Sequence, residues 1–141
     1  MPFLTLNGKT VYCSGNLFRG YARMAAVPVR SLLARALARI GYSPLLKVSG
    51  APAFLQAYVN RTAKETTVSL LAYLPEKRGS EMESVEDELT VDGFELSLKL
   101  EKTPVRIFSA PDGHSLQWHR NGEYITVAVP RFTGFSLIVV E

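Results

Sequence analysis

Six strand-like runs follow Pro44, and they constrain the fold of this chain more than any other feature. Turn residues separate the runs, which recur roughly every ten residues without a helical pattern between them. In order along the chain they are FLQAYVN, TTVSLLAYL, FELSLKL, VRIFSA, EYITVAV and FSLIVVE. Many short strands at such a spacing are typical of two sheets packed face to face. The sequence therefore predicts a mainly β fold, an antiparallel β-sandwich.

Alternation within the runs indicates which strand faces are buried. From Phe94 to Leu100 every second residue is apolar and the residues between are polar, which is the pattern of a strand with one buried face. In the final run apolar residues occupy both faces of the strand, with Leu137 on one face and Ile138 on the other. We therefore expect both faces of the final strand to be covered.

The segment before Pro44 has a different character and predicts one strand and one helix. GKTVYCSG is a strand candidate because valine and tyrosine favour strands and glycines bound the run. PVRSLLARALARIG predicts a helix whose first turn accepts Pro28 and whose end is marked by Gly41. The helix carries one apolar stripe at helical spacing, formed by Val29, Leu32, Leu33, Ala36, Leu37 and Ile40.

These patterns divide the chain into a strand–helix piece at residues 1–48 and a β-sandwich domain at residues 49–141. One strand and one helix cannot cover both faces of a sheet, so the piece either packs on the sandwich or is the end of a larger domain. We expect it to pack on the sandwich. Because free strand edges invite pairing, we also expect residues 8–14 to pair with a sandwich edge or with a second copy of the chain. The latter arrangement would give a homodimer.

The stretch HSLQWHRNGEY, residues 114–124, holds both histidines and the only tryptophan of the chain, so it is a candidate site. An Asp-Gly pair before it and an Asn-Gly pair within it favour instead a strand between two tight turns. His114 and His119 are five residues apart, which places them on opposite faces of an extended strand and away from a shared metal ion. We therefore predict a structural hairpin, with neither a metal site nor a cofactor.

Acidic residues are concentrated in GSEMESVEDEL, and paired carboxylates are what glycoside hydrolysis requires. They are Glu81, Glu83, Glu86, Asp87 and Glu88. A catalytic acid also needs a raised pKa, which comes from burial or from a close partner. Because the run has few large apolar neighbours, a solvated sheet edge, where acids discourage aggregation, is favoured over an active site.

Other site motifs are absent or weak. Ser14 lies outside a G-x-S-x-G elbow, and neither G-x-G-x-x-G nor a P-loop occurs, so no catalytic residue is assigned. Aromatic rings could contact carbohydrate by stacking, and the candidates are Trp118, Tyr124, Tyr73 and Tyr58. In a sandwich such rings more often belong to the core or to cross-strand pairs. A carbohydrate-binding module is therefore the alternative to a structural domain, and a small enzyme built on the histidine–tryptophan hairpin is a third hypothesis.

Charge and cysteine content exclude several classes of partner. The net charge is +3 and the basic residues are interspersed with acids, which does not indicate nucleic-acid binding. Cys13 is the only cysteine, which excludes an internal disulfide and a cysteine-based metal site. No apolar run approaches the ~18 residues of a membrane helix, and MPFLTLNGKT lacks a signal-peptide pattern. We therefore expect a soluble domain without a nucleic-acid or membrane partner, in a compartment that the sequence does not specify.

Several long stretches resemble the C-terminal end of multidomain glycoside hydrolases related to the β-galactosidases. The similarity covers nearly the whole chain and is carried by the loose motifs Y-x-P-E-K-R, V-E-D and V-P-x-x-x-G. The stretches are GKTVYCSGNLFRGYAR, VRSLLARALARIGYSPLLKVSGAP, AYVNRTAKETTVSLLAYLPEKRG, ESVEDEL and VAVPRFTGFSLIVVE.

In proteins of that family a catalytic TIM barrel comes first, a flavodoxin-like middle domain, often called the trimerisation domain, comes next, and a small β-sandwich ends the chain. The resemblance implies that residues 1–48 are a remnant of the flavodoxin-like domain and that residues 49–141 are the sandwich. The catalytic carboxylates of the family lie on the barrel, so none is carried onto this sequence. The resemblance thus implies a non-catalytic accessory domain, whose partners are the catalytic and middle domains of a parent glycosidase.

Overall fold

The structure is a computed structural model that describes residues 3–141. The chain divides into two compact units, Met1–Pro44 and Leu45–Glu141. The division falls before the boundary predicted at residue 48. The reason is that the strand Leu46–Ser49 pairs with the strand Phe94–Lys99 of the second unit, so the sandwich begins earlier than the sequence pattern indicates.

Within residues 3–44, the N-terminal unit contains two strands and two helices where the sequence predicts one of each. They are β1 (Leu4–Asn7), β2 (Thr10–Cys13), α1 (Leu17–Met24) and α2 (Val27–Arg39). The predicted strand, β2, pairs antiparallel with β1 of the same unit. Pairing of the other edge of β2 with a sandwich edge or with a second copy stays a prediction. The two-residue loop between β1 and β2 begins with Gly8, whose φ of 55° is accessible to glycine without a steric penalty.

Helix α2 confirms the predicted helix almost to the residue. Pro28 lies in its first turn, and its C-terminal end is a Schellman motif. The backbone N–H of Tyr42 donates to the carbonyl of Leu37 at 3.0 Å, and that of Gly41 donates to the carbonyl of Ala38 at 3.1 Å. Gly41 has a φ of 79°, the left-handed conformation that this motif requires.

The apolar stripe of α2 is only partly covered. Leu37 is 41% exposed, and the other members of the stripe are half-buried. Most of the stripe lines an apolar cleft of about 240 Å³, together with Val11 of β2 and Leu17 of α1. The N-terminal unit therefore leaves a concave apolar surface between its hairpin and its second helix.

The C-terminal unit is the predicted antiparallel β-sandwich. Its strands are β3 (Leu46–Ser49), β4 (Gln56–Arg61), β5 (Thr66–Leu71), β6 (Glu76–Arg78), β7 (Met82–Ser84), β8 (Thr90–Val91), β9 (Phe94–Lys99), β10 (Ile107–Ala110), β11 (Trp118–Asn121), β12 (Tyr124–Val129), β13 (Phe132–Thr133) and β14 (Phe135–Val140). The first sheet has the order β10-β14-β5-β4, and the second sheet has the order β11-β12-β9-β3. Two short ribbons, β6-β7 and β8-β13, accompany them. All the strand pairs are antiparallel.

Both sheets contribute side chains to one apolar core. In β9 the alternation predicted from the sequence is confirmed, because Phe94, Leu96 and Leu98 are buried and the residues between them face outward. Burial of each such side chain stabilises the fold by roughly 1.5–3 kcal/mol. In β14 Ile138 faces this core, and Val139 on the opposite face is also buried.

Candidate functional site

The histidine- and tryptophan-containing stretch connects the two sheets. Ser115 forms an isolated bridge with Phe108 next to the first sheet, whereas β11 pairs with β12 in the second sheet. Between these pairings, the backbone N–H of Leu116 donates to the carbonyl of Ile107, and the carbonyl of Gln117 accepts from Ala128. The single strand predicted for HSLQWHR is therefore interrupted, and the chain crosses from one sheet to the other within it.

The predicted hairpin after Trp118 is present, with its loop one residue later than the Asn-Gly signal indicates. Asn121 is the last residue of β11 and pairs with Tyr124, so the loop is Gly122-Glu123. Gly122 has a φ of 61° and Asn121 is not in the left-handed region. Glycine at the first loop position with positive φ is the requirement of a type II′ turn. The same Asn-Gly order closes the β1-β2 hairpin.

The two histidines have separate surroundings. His114 lies in the loop before Ser115 and lines an open cleft of about 430 Å³ with Ser109. His119 lies in β11 opposite Thr126, on the outward face of the second sheet. Among residues 3–141 there is no group of three or more His, Cys, Asp or Glu side chains that could hold a metal ion.

The candidate sugar-contacting rings do not form one strip. Trp118 is half-buried against the core, on the inward face of β11. Tyr124 lies on the outward face of the same sheet, beneath the ammonium group of Lys47. Tyr73 follows β5 of the first sheet, and its hydroxyl lies 3.1 Å from the point that a Cβ atom on Gly134 would occupy. A contact of Trp118, Tyr124 or Tyr73 with carbohydrate belongs to the alternative function, a carbohydrate-binding module, and stays a prediction of that alternative.

The acidic run lies on the surface of the β6-β7 ribbon and the segment after it. All five of its carboxylates are exposed. Glu86 forms an ion pair with Arg78, and Glu83 lies opposite Lys77 in the ribbon. This environment consists of basic neighbours and solvent, and it lacks the burial of a catalytic acid.

A cluster that sequence analysis did not single out lies at one end of the sandwich. Arg61, Lys99 and Arg120 line an open cleft of about 420 Å³, together with Glu101 and Glu123. We call it the arginine cleft. Its basic residues come from three different strands. Arg61 continues a row of core-facing residues after Val59 in β4, and Arg120 does so after Trp118 in β11. This position is the only local signal for the two arginines in the sequence.

One basic group of the arginine cleft has a shifted pKa. The Lys99 ammonium donates to the carboxylate of Glu123, with an Nζ–Oε2 distance of 2.9 Å. This hydrogen bond is the main cause that raises the pKa of Lys99 above its ordinary value of 10.5, and desolvation acts in the opposite direction. Lys99 is therefore charged and paired at neutral pH.

In the part of the chain that the structure describes, no helix combines the length and the apolar character needed to cross a bilayer.

The fold places this chain among proteins that contain an antiparallel β-sandwich, and comparison with known proteins narrows the class. Models of protein families give no match, and neither do curated protein sequences. A solved structure does match: α-L-fucosidase isoenzyme 2 from Paenibacillus thiaminolyticus, with a TM-score of 0.88 and 26% sequence identity.

The likeness covers 99% of this chain but only 22% of the fucosidase chain. The chain thus spans about a fifth of the length of the solved structure that it resembles. That structure is a glycoside hydrolase, which agrees with the enzyme class that the sequence resemblance implies. The kinship with β-galactosidases in particular stays a prediction.

Proposed function

We propose that this chain is a non-catalytic accessory region of a larger glycoside hydrolase. The observation that supports this function is the unequal coverage of the structural match. Nearly all of this chain is similar to a part of a glycosidase that makes up 22% of that enzyme's chain. Most of such an enzyme therefore lies outside the similar region, and that remainder is large enough to hold a catalytic domain. Its role is then to pack against the catalytic and middle domains of the parent enzyme and to stabilise them.

The finer assignments rest on the sequence resemblance. They are kinship with the β-galactosidases and derivation of the N-terminal unit from a flavodoxin-like middle domain. The antiparallel β1-β2 hairpin is a feature that a parallel flavodoxin-like sheet does not need, so the structure supports the sandwich part of the assignment more than the N-terminal part. In a second arrangement, two copies of the chain form a homodimer and cover the partly exposed apolar stripe of α2.

The surroundings of the acidic residues support a non-catalytic role. A glycosidase needs two carboxyl groups that flank the scissile bond, one of them held in its acid form. Glu86 instead forms an ion pair with Arg78 on the exposed surface. Glu83 lies on an exposed ribbon. Neither position offers the desolvated environment in which a general acid works.

A panel of aryl glycosides tests the proposal with the 141-residue chain. The panel should include fucosides and galactosides, and we expect no turnover above a heat-denatured sample. Glu83→Gln and Glu86→Gln should behave as the unaltered chain does, and Glu65→Gln, a carboxylate outside the acidic run, is the matched control. Turnover that either Glu83→Gln or Glu86→Gln abolishes, while Glu65→Gln retains it, would contradict the non-catalytic function.

A carbohydrate-binding module is the second candidate. It is supported by one exposed ring, Tyr58, which is 56% exposed on the outward face of the first sheet. Its hydroxyl donates to the side-chain carbonyl of Gln56 at 2.8 Å, so the ring has a fixed orientation with polar groups beside it. Exposed rings with flanking hydrogen-bonding groups are suited to sugars. Saturable binding of neutral oligosaccharides that Tyr58→Ala removes would favour the module over the structural role.

A further inference from the structure

The arginine cleft contains two guanidinium groups that come from opposite sheets of the sandwich. Arg61 ends β4 of the first sheet, and Arg120 lies in β11 of the second sheet. In each strand the arginine follows core-facing residues with the same alternation, Val59 in β4 and Trp118 in β11. The two side chains therefore leave the inward faces of the two sheets and meet at the same end of the sandwich.

Both guanidinium groups are held by the same short segment of backbone. Arg61 Nη2 donates to the carbonyl of Lys99 at 2.5 Å. Arg120 Nη2 donates to the carbonyl of Leu100 at 3.2 Å and to that of Glu101 at 3.5 Å. Both groups are therefore held against the Lys99–Glu101 segment, and both line the same cleft.

Arg120 is the more firmly positioned of the two. Its Nε donates to the carbonyl of Gly122 at 3.1 Å, and its Nη1 donates to Thr103 Oγ1 at 2.9 Å. Hydrogen bonds on every nitrogen fix the plane of the group before any ligand arrives, so less side-chain entropy is lost on binding. Arg61 uses one hydrogen bond of this kind, which leaves most of its five N–H donors for other acceptors.

The charges of the cleft are not balanced around the arginines. Glu123 is paired with Lys99. Within residues 3–141, neither Arg61 nor Arg120 has a carboxylate within ion-pair distance, and Glu101 pairs with no basic group. The cleft thus combines two guanidinium groups that are held by neutral carbonyls, a lysine whose charge is compensated by Glu123, and the unpaired carboxylate of Glu101, so its basic side chains exceed its acidic ones by one.

We propose that the arginine cleft binds a small oxyanion, a carboxylate, sulfate or phosphate group of a small ligand, between Arg61 and Arg120. A guanidinium group is planar and presents parallel N–H donors that match two oxygens of such a group. Arg120 supplies a fixed charge, and Arg61 closes on the ligand from the opposite sheet. The site is independent of the accessory function proposed above, since a structural domain and a binding module could both carry it.

Titration of the isotopically labelled 141-residue chain with small anions tests this site by NMR. The probes are glucuronate, sulfate and inorganic phosphate at constant ionic strength in chloride, with glucose as the neutral control. We expect saturable shifts at the amides of Leu100, Glu101 and Gly122, and none with glucose. A response to glucuronate alone would assign a carboxylate ligand, and a response to sulfate or phosphate would assign a tetrahedral oxyanion.

Arg61→Gln should weaken this binding about tenfold or more, because hydrogen bonds to charged groups contribute at that level. The matched control is Arg131→Gln, which removes the same charge from an exposed arginine that is 3.8 Å from Asp92. It should leave the affinity unchanged. Arg120→Lys keeps the charge but loses the planar donor pair, so it should also weaken binding if its circular dichroism spectrum is unaltered.

Two results would overturn the proposal. One is the lack of a saturable shift with all three anions in the unaltered chain. The other is equal weakening by Arg61→Gln and Arg131→Gln, which would show that the anions respond to overall charge and not to the cleft. Arg61→Gln removes a single backbone hydrogen bond at a strand end, so the fold is expected to tolerate it.

Discussion

Lys47 Nζ lies 3.8 Å from the centre of the Tyr124 ring, on the outward face of the second sheet. An ammonium group at this position is attracted by the negative face of the ring. A sugar that stacks on the same face of Tyr124 would first have to displace the lysine. This contact therefore bears directly on whether the chain is a carbohydrate-binding module.

We expect Tyr124 to make no contribution to carbohydrate binding. In isothermal titration with neutral fucosyl and galactosyl oligosaccharides, Tyr124→Ala should give the same trace as the unaltered chain. Lys47→Ala, which uncovers the ring, is the matched variant and should also give no new binding. Binding that Tyr124→Ala removes and Lys47→Ala strengthens would show that Tyr124 is a stacking platform.

Trp118 and His119 are neighbours in sequence with opposite environments, and their substitutions should differ accordingly. Trp118→Ala removes a half-buried ring from the edge of the core and should lower the free energy of unfolding by about 2–3 kcal/mol. His119→Ala alters an outward, exposed position and should change it by about 0.5 kcal/mol or less. Urea unfolding followed by far-UV circular dichroism measures both changes. Tryptophan fluorescence would not, because Trp118→Ala removes the only tryptophan.

The site hypothesis for these residues would return under a different result. A larger loss of stability from His119→Ala than from Trp118→Ala would indicate that the imidazole has a buried partner. A melting temperature that falls on addition of a chelator would indicate a bound metal ion. We expect neither.

The β1-β2 loop offers a test of backbone conformation within the N-terminal unit. Gly8 has a φ of 55° and open space where a Cβ atom would lie, so Gly8→Ala should cost about 1–2 kcal/mol through backbone strain alone. Gly20 lies in α1 with ordinary helical φ and equally open space, so Gly20→Ala should stabilise by about 0.5–1 kcal/mol. Thermal unfolding measures the expected loss of stability from Gly8→Ala and the expected gain from Gly20→Ala. Hydrogen exchange of the α1 amides also measures the gain within the helix. A gain in stability from Gly8→Ala would show that the tight hairpin is wrong.

The Lys99–Glu123 ion pair predicts a loss of stability at alkaline pH. Because the pKa of Lys99 is raised in the folded chain, the contribution of the pair is fully present below the ordinary value of 10.5 and is lost as the pH rises through the raised pKa. Urea unfolding on either side of pH 10.5 should therefore show a smaller alkaline loss for Glu123→Gln than for the unaltered chain. Equal losses in the two chains would show that the pair does not contribute.

Local patterns predicted the parts of this protein in which neighbouring residues decide the conformation. The alternation from Phe94 to Lys99 specifies a strand with one buried face, and the strand is observed with that face in the core. Pro28 and Gly41 mark the ends of α2 through their own backbone preferences. Each of these signals acts within a few residues, so it can be interpreted without knowledge of the tertiary structure.

Weak local signals account for what was missed in the N-terminal unit. Strand β1 has four residues and helix α1 has eight, with a glycine inside the helix, so neither shows a sustained period. The Asn-Gly pair at Asn7 and Gly8 was the available signal for the first hairpin. It is the same signal that correctly predicted the hairpin closed by Gly122.

By itself, the sequence determined the fold class of this protein, a mainly β sandwich, because a two-residue period, turn residues and helix ends are local properties of the chain. Only the tertiary structure decided where the chain crosses between sheets at Leu116 and Gln117, since long-range pairing with both sheets competes there. It also decided that Arg61 and Arg120 meet on the carbonyls of Lys99–Glu101. These residues are far apart in sequence, and only the packing of one sheet on the other brings their guanidinium groups to the same end of the sandwich.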